Sequence, residues 1–143
     1  MGPTNLTPEQ AVAALEASIC TDSFADFLER VQIRSDDPVR PGSVRMEPYP
    51  YQLDLAERWQ RHESQVILKA RQIGASVLLR AYALWRAIHS GWAIGYYSRG
   101  QDEAVAWLDG LQAMGEALAP HLRPVMHRSG DVLRAGSGSI RVF

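Results

Sequence analysis

Eight residues, Lys69-Ala70-Arg71-Gln72-Ile73-Gly74-Ala75-Ser76, lie between a short apolar run and an amphipathic stretch of helical periodicity. A polar, glycine-bearing loop leading from a strand into a helix is where a phosphate can be held, because the first N–H groups of a helix are unpaired and its dipole favours an anion. Such a loop also needs a lysine to neutralise phosphate charge and a Ser or Thr hydroxyl to hold magnesium. Ser76 follows Gly74 by two positions, as the usual G-K-[ST] ending requires. The rest of G-x-x-x-x-G-K-[ST] is broken: Ala75 stands where the lysine belongs and Lys69 where the first glycine belongs. A loop that curls around phosphates lets a lysine at its other end swing back, so Lys69 can supply the charge from the opposite side. Composition singles out the same residue. Of the 15 basic residues 14 are arginine, and Lys69 is the only lysine, as a position that wants a compact ammonium rather than a planar fork would require. The plainer alternative is a polar strand-to-helix turn with no ligand.

The elements that must position this loop are legible on both sides. Gln65-Val66-Ile67-Leu68 is an apolar run of the kind expected for a buried parallel strand. After the loop, Val77, Leu78, Ala81, Leu84, Trp85 and Ile88 fall on one helical stripe that His89-Ser90-Gly91 ends. Trp92 to Tyr97 reads as a second strand and Gln101 to Leu118 as another helix, giving a βαβα unit and hence a parallel sheet with helices on its faces. Val132-Leu133-Arg134-Ala135 and Ile140-Arg141-Val142-Phe143 flank a Gly136-Ser137-Gly138-Ser139 turn and predict a hairpin. Its second strand stops at the last residue, so the chain is expected to be truncated.

Upstream, Thr7-Pro8-Glu9-Gln10 starts a helix, with a Thr cap, Pro at the first position and Gln three residues after the cap. Val12, Leu15 and Ile19 follow at helical spacing, and a second helix from Asp22 or Ser23 sets Phe24, Phe27, Leu28 and Val31 on one side. Both read as a packing arm. Ser35 to Pro50, with four prolines and Gly42, reads as an extended connector, and Tyr51 to Arg61 returns to helix. Residues 1–47 are thus expected to form a helical arm and linker, and residues 48–143 the α/β domain.

Composition bounds the rest. A chain of 143 residues, 46% hydrophobic and 22% charged, is long enough for one domain with a real core. A formal net charge of −1 leaves no global basic field, so any nucleic-acid contact must come from a local patch. Cys20 stands alone, which excludes an intramolecular disulfide and fits a reducing compartment. No apolar run approaches the roughly 20 residues that span a membrane. The four histidines (62, 89, 121 and 127) show no metal-ligand spacing, and no carboxylate pair suggests a nuclease centre.

The displaced lysine carries a resemblance. Lys69-Ala-Arg-Gln-Ile-Gly-Ala-Ser76 resembles the deviant Walker A loop of tailed-phage terminase large subunits, K-x-R-Q-x-G-x-[ST], which carries its lysine early. Tyr49-Pro50-Tyr51-Gln52, about 17 residues upstream, is similar to the adenine-recognition element of terminases and helicase-like ATPases. Gly138-Ser139 within its hairpin is similar to the one terminases place before the Walker B strand. The resemblance covers roughly residues 48 to 143. It implies the N-terminal part of a P-loop ATPase domain, with Mg-ATP held by residues 69–76, Lys69 and Arg71 acting on the phosphates, and Ser76 on the magnesium. Arg71 would reach the γ-phosphate or couple its loss to motion; a surface arginine is the alternative.

By the same resemblance Tyr51 lies near the base and Gln52 bonds the adenine edge, a Gln amide offering both a donor and an acceptor for N6 and N7. The alternative is a connector whose Gln52 only opens a helix. Arg99, in Ser98-Arg99-Gly100-Gln101 after the second strand, falls where parallel sheets bind ligands. The resemblance makes it a weak nucleic-acid contact; a helix-capping turn with a solvated arginine is the other reading. The implied partners are double-stranded DNA, a portal protein, a small terminase subunit and further copies in a ring, with no membrane. The implied setting is the host bacterial cytoplasm and, transiently, the procapsid portal vertex.

The sequence lacks an apolar strand ending in Asp-Glu, since Asp102-Glu103 opens a helix, so little or no turnover is expected of this chain alone. Two rivals stand beside this: a helicase-like translocase fragment, which usually keeps the G-K-[ST] lysine, and a non-catalytic prophage remnant acting as an interaction module.

Overall fold

The computed structural model describes residues 5–35, 38–39, 41–62, 64 and 74–143. The strand expected at 65–68 and the loop positions 69–73 lie outside the described residues. The chain begins with α1 (Pro8–Asp22), whose start follows the sequence signals: Thr7 Oγ1 accepts from the Gln10 N–H at 3.2 Å and the Gln10 side chain accepts from the Thr7 N–H at 3.0 Å. Next come α2 (Phe24–Leu28) and an antiparallel pair, β1 (Gln32–Ser35) and β2 (Gly42–Arg45). Part of the stretch expected as a bare connector is therefore the second strand of a hairpin. Gly42, at φ +95°, opens β2. The remaining elements are α3 (Pro50–Arg61), α4 (Ala75–Ser90), β3 (Ala93–Tyr96), α5 (Gln101–Glu116), β4 (Met126–Ser129), β5 (Val132–Ala135) and β6 (Gly138–Val142).

Four strands form one sheet in the order β3-β6-β5-β4. The expected parallel sheet is corrected here: the described sheet is mixed. Only β3 and β6 run parallel, Ile94 facing Ile140, while β6, β5 and β4 are antiparallel neighbours. The reason is connection length. Gly136-Ser137 and Gly130-Asp131 are two-residue turns, which can only reverse the chain, whereas β3 reaches β6 through α5 and the hairpin before it. Among the described residues, α4 and α5 cover the same face of this sheet, so helices on both faces are not seen either.

The core joins both ends of the described chain. Phe24, Phe27, Leu28 and Val31 are fully buried, as their spacing predicted, in one cluster with Leu78, Leu84, Leu108, Leu133 and Ile140. Tyr82 of α4 sits among rings, with Phe24 at 5.1 Å and Trp59 at 5.5 Å, both edge-on. Its hydroxyl donates to the Trp59 carbonyl at 2.9 Å. The Trp85 indole N–H donates to the Cys20 carbonyl at 2.7 Å, a buried bond tying α1 to α4. Burial of the Cys20 thiol pushes its pKa up, away from a reactive thiolate.

The apolar stripe of α1 is a second correction. Val12 and Leu15 are 64% and 63% exposed, and Ile19 is exposed too; the helix docks through Cys20 and the half-buried Ala13, Glu16 and Ala17. Glu16 decides the facing. Its carboxylate accepts from Arg30 Nε at 2.7 Å and lies 3.1 Å from His121 Nε2. Burial pushes the Glu16 carboxyl up, but the hydrogen bonds and charges of Arg30 and His121 outweigh it and hold the group below its ordinary value. A carboxyl depressed on folding contributes stability that is whole above the carboxylate range and is lost as pH falls through the folded value. Glu16→Gln is therefore expected to lower the urea midpoint at pH 7, by about 1 kcal/mol, with the gap to the parent chain closing below about pH 4. A gap unchanged at low pH would remove the ion pair from the account.

Gly138 sets how closely β6 approaches α4. A Cβ there would lie 2.6 Å from both the Cα and the carbonyl oxygen of Ala87 and 2.7 Å from the Trp92 carbonyl oxygen. These are backbone atoms, so the strand and helix would have to part. Gly138→Ala is expected to cost about 1–3 kcal/mol in urea denaturation; a neutral result would mean that the contact relaxes freely.

Candidate functional site

The candidate site is built on the first turn of α4 and the start of α3. Gly74 caps α4 in the left-handed region, φ +77° and ψ +13°, which disfavours any residue with a Cβ. Gly74 offers no side-chain cap and the first turn carries no acidic residue, so no side chain among the described residues caps the outward N–H groups. Ala75 is 9% exposed, while Ser76 projects at the surface.

The structure brings Gln52 to this point. A Cβ on Gly74 would lie 2.6 Å from Gln52 Nε2, so the amide nitrogen packs against the glycine itself. Gln52 is 4% exposed and is the one buried polar or charged side chain among the described residues. The start of α3 explains its pose. Pro50 opens the helix, the Gln52 N–H donates to the Tyr49 carbonyl at 2.9 Å, and Gln52 Oε1 accepts from the Tyr49 N–H at 2.9 Å. The amide oxygen thus secures the helix start and the NH2 group faces the end of the loop. Gln52 thus opens a helix and sits beside the loop terminus. Tyr49 and Tyr51 stack at 5.8 Å and 8°, exposed at 64% and 42%, on the surface next to it.

The remaining site residues divide. Lys69, Ala70, Arg71, Gln72 and Ile73 lie outside the described residues. Arg99 follows β3 and is almost fully exposed, with a loose 3.7 Å pairing to Glu103. Ser98 Oγ donates to the same carboxylate at 2.9 Å, so both contacts of this segment go to a side chain in the first turn of α5. An exposed pair of this kind contributes little to stability. Among the described residues no three His, Cys, Asp or Glu side chains gather as a metal cluster.

One cation escaped the sequence reading. Arg80 of α4 is half-buried between α4 and α5, donating from Nε to the Trp107 carbonyl at 3.1 Å. Burial pushes its guanidinium pKa down, and Gly110 leaves the room it occupies: a Cβ there would meet the guanidinium carbon at 2.8 Å. Nothing in its spacing marks it, because it falls on the stripe edge between Val77 and Leu84.

No protein-family model matches the chain, and no curated protein matches its sequence.

The contact between Gln52 and Gly74 has a thermodynamic signature. Gly74→Ala is expected to destabilise by about 1–2 kcal/mol from the positive φ, and further by displacing Gln52. In the Gly74→Ala, Gln52→Ala double variant the displacement vanishes, so urea denaturation should give a cost below the sum of the singles, by about 0.5 kcal/mol or more. Strict additivity would place the two side by side without coupling.

Proposed function

We propose that this chain is the nucleotide-binding part of a DNA-packaging ATPase of the terminase large-subunit type, with a P-loop NTPase-type fold that takes Mg-ATP on the loop ending at Gly74-Ala75-Ser76. The observation that carries the reading is the seating of Gln52 against Gly74. Two short motifs, about 17 residues apart in sequence and each resembling a motif of that family, meet at one helix end.

Each residue then has a task. The N–H groups of the first turn of α4 face the phosphates and its dipole favours their charge. Lys69 neutralises that charge from the far end of the loop, and Arg71 approaches the γ-phosphate. The Ser76 hydroxyl is placed to hold Mg2+, whose part when bound is to neutralise charge on the phosphoryl oxygens. Tyr51 lies near the adenine, and Gln52, whose amide is engaged by Tyr49 and Gly74, ties that side of the site to the loop. The same reading gives double-stranded DNA, a portal protein, a small terminase subunit and further copies of the chain as partners, in a bacterial cytoplasm.

Hydrolysis needs an acidic pair at the end of an apolar strand, which the sequence does not contain, so binding without efficient turnover is the expected behaviour. Equilibrium binding of Mg-ATP, read with a fluorescent analogue and competition by unlabelled ATP, tests the proposal. Lys69→Ala should weaken binding tenfold or more, at least about 1.4 kcal/mol, with Gln52→Ala weakening it less. A folded chain that binds no Mg-ATP would overturn the nucleotide reading and favour a non-catalytic interaction module.

A further inference from the structure

The face of the four-stranded sheet turned away from α4 and α5 has a composition that the nucleotide site does not use. Strand register sets Gly95 of β3 beside Arg141 of β6, Arg134 of β5 beside Ser139, and His127 of β4 beside Arg134. These side chains alternate with the buried Ile140, Val142 and Leu133, so they share the outer face. The four strands contain no acidic residue; the nearest carboxylate in sequence, Asp131, lies in the β4–β5 turn. Among the described residues, neither the Arg134 nor the Arg141 guanidinium has a hydrogen-bond or ion-pair partner. By contrast Arg128, which points to the covered face, is held by Asp109 at 3.1 Å and Gln112 at 3.3 Å.

Aromatic surface adjoins the two arginines. Tyr97 and Phe143 stack in parallel, 4.6 Å apart and 8° from coplanar, and are 74% and 46% exposed. They lean over Gly95, where a Cβ would lie 3.3 Å from Tyr97 and 3.5 Å from Phe143, so the missing side chain gives the rings their seat. Between the rings and the arginines runs an open depression of about 650 Å³ floored by Ala93, Gly95 and Ser139.

Charge and rings together select the occupant. An acidic peptide would pair the guanidiniums but leave the rings in water, and an apolar partner would cover the rings but strand two desolvated cations. A polynucleotide uses both features, with bases stacking on aromatic faces and phosphates meeting the arginines. It must be single-stranded, since the base faces of a duplex are already stacked on one another. Ser137 and Ser139 also line the depression, but a serine hydroxyl serves a phosphate oxygen of either polynucleotide, so the floor holds no group that requires a 2′-hydroxyl. We infer that this sheet face binds single-stranded DNA, with bases on Tyr97 and Phe143 and phosphates on Arg134 and Arg141. None of these residues belongs to the nucleotide loop, so this inference and the ATP proposal stand or fall separately.

Fluorescence anisotropy of a labelled 12-nucleotide oligo-dT with the full chain, over a range of salt concentrations, tests it. The double variant Arg134→Ser, Arg141→Ser should weaken binding at least tenfold and reduce the slope of log K against log salt by about 1.4, as two lost phosphate contacts require. Tyr97→Ser should weaken binding about tenfold, in the range of one lost stacking contact, and leave the slope unchanged. Arg58→Ser, an exposed arginine on α3, should change neither. All four positions are at the surface, and circular dichroism checks that each variant is folded. The inference fails if the folded chain does not bind the oligonucleotide or if the double variant binds as the parent does. It fails equally if a duplex or polyglutamate of similar length competes as well as oligo-dT. Tighter binding of oligo-U than of oligo-dT would overturn the choice of DNA.

Discussion

Everything described around the candidate site depends on α4 being buried from two sides. On one side Tyr82 and Trp85 enter an aromatic cluster with Phe24 and Trp59. On the other, the backbone at Ala87 meets β6 at Gly138 with no room for a methyl group. A helix held this way must be apolar or small around most of its circumference, and Ala81, Ala83 and Ala87 are all buried beside the larger residues. Because the packing is close on both sides, the first turn of α4 has one position relative to α3. The meeting of Gly74 with Gln52 follows from that packing more than from any local preference of either residue.

Arginine does much of the fastening. Arg86 lies 4.4 Å from the centre of the Trp92 ring and 4.8 Å from that of Trp85, with Nε donating to the Tyr82 hydroxyl at 3.0 Å. Arg30 joins α1 to the end of α2, Arg128 joins β4 to α5, and Arg80 fills the α4–α5 seam. A planar guanidinium suits these places, since it stacks on rings and donates in several directions while its stem packs. A protein that uses arginine so widely for fastening makes its single lysine stand out on chemical grounds. A lysine is the poorer tether and the more compact charge.

Helix boundaries were the most legible part of the sequence, because their signals are local. Thr7-Pro8-Gln10 starts α1, Gly91 ends α4 at φ +66°, and the apolar residues of α2 point inward as their spacing required. Strand direction was legible only for β5 and β6, where the glycine-serine turn predicts a hairpin, and not for the rest of the sheet. The apolar periodicity of β3, β5 and β6 is the same for parallel and antiparallel pairing, and only the turn lengths decide between them. β4 escaped because Met126-His127-Arg128-Ser129 has one apolar residue and lends its polar side chains to α5 on one face and to water on the other. α1 was misoriented for a related reason. Helical spacing identifies an apolar stripe, but the ion pairs of Glu16 with Arg30 and His121 fixed the opposite side inward. At the site, the chemistry of Gln52 and Gly74 was legible from residue type, whereas their contact depends on tertiary packing that no spacing encodes.

The substitution that breaks the usual loop pattern has a structural setting of its own. Ala75, which replaces the expected lysine, is 9% exposed in the first turn of α4. A lysine there would begin from a covered Cβ and would have to displace its neighbours before its ammonium reached open space. The same closeness that buries Ala75 holds Gln52 against Gly74 a residue earlier. The helix entrance is thus given to packing against α3, which leaves no room for a long side chain at the position after Gly74.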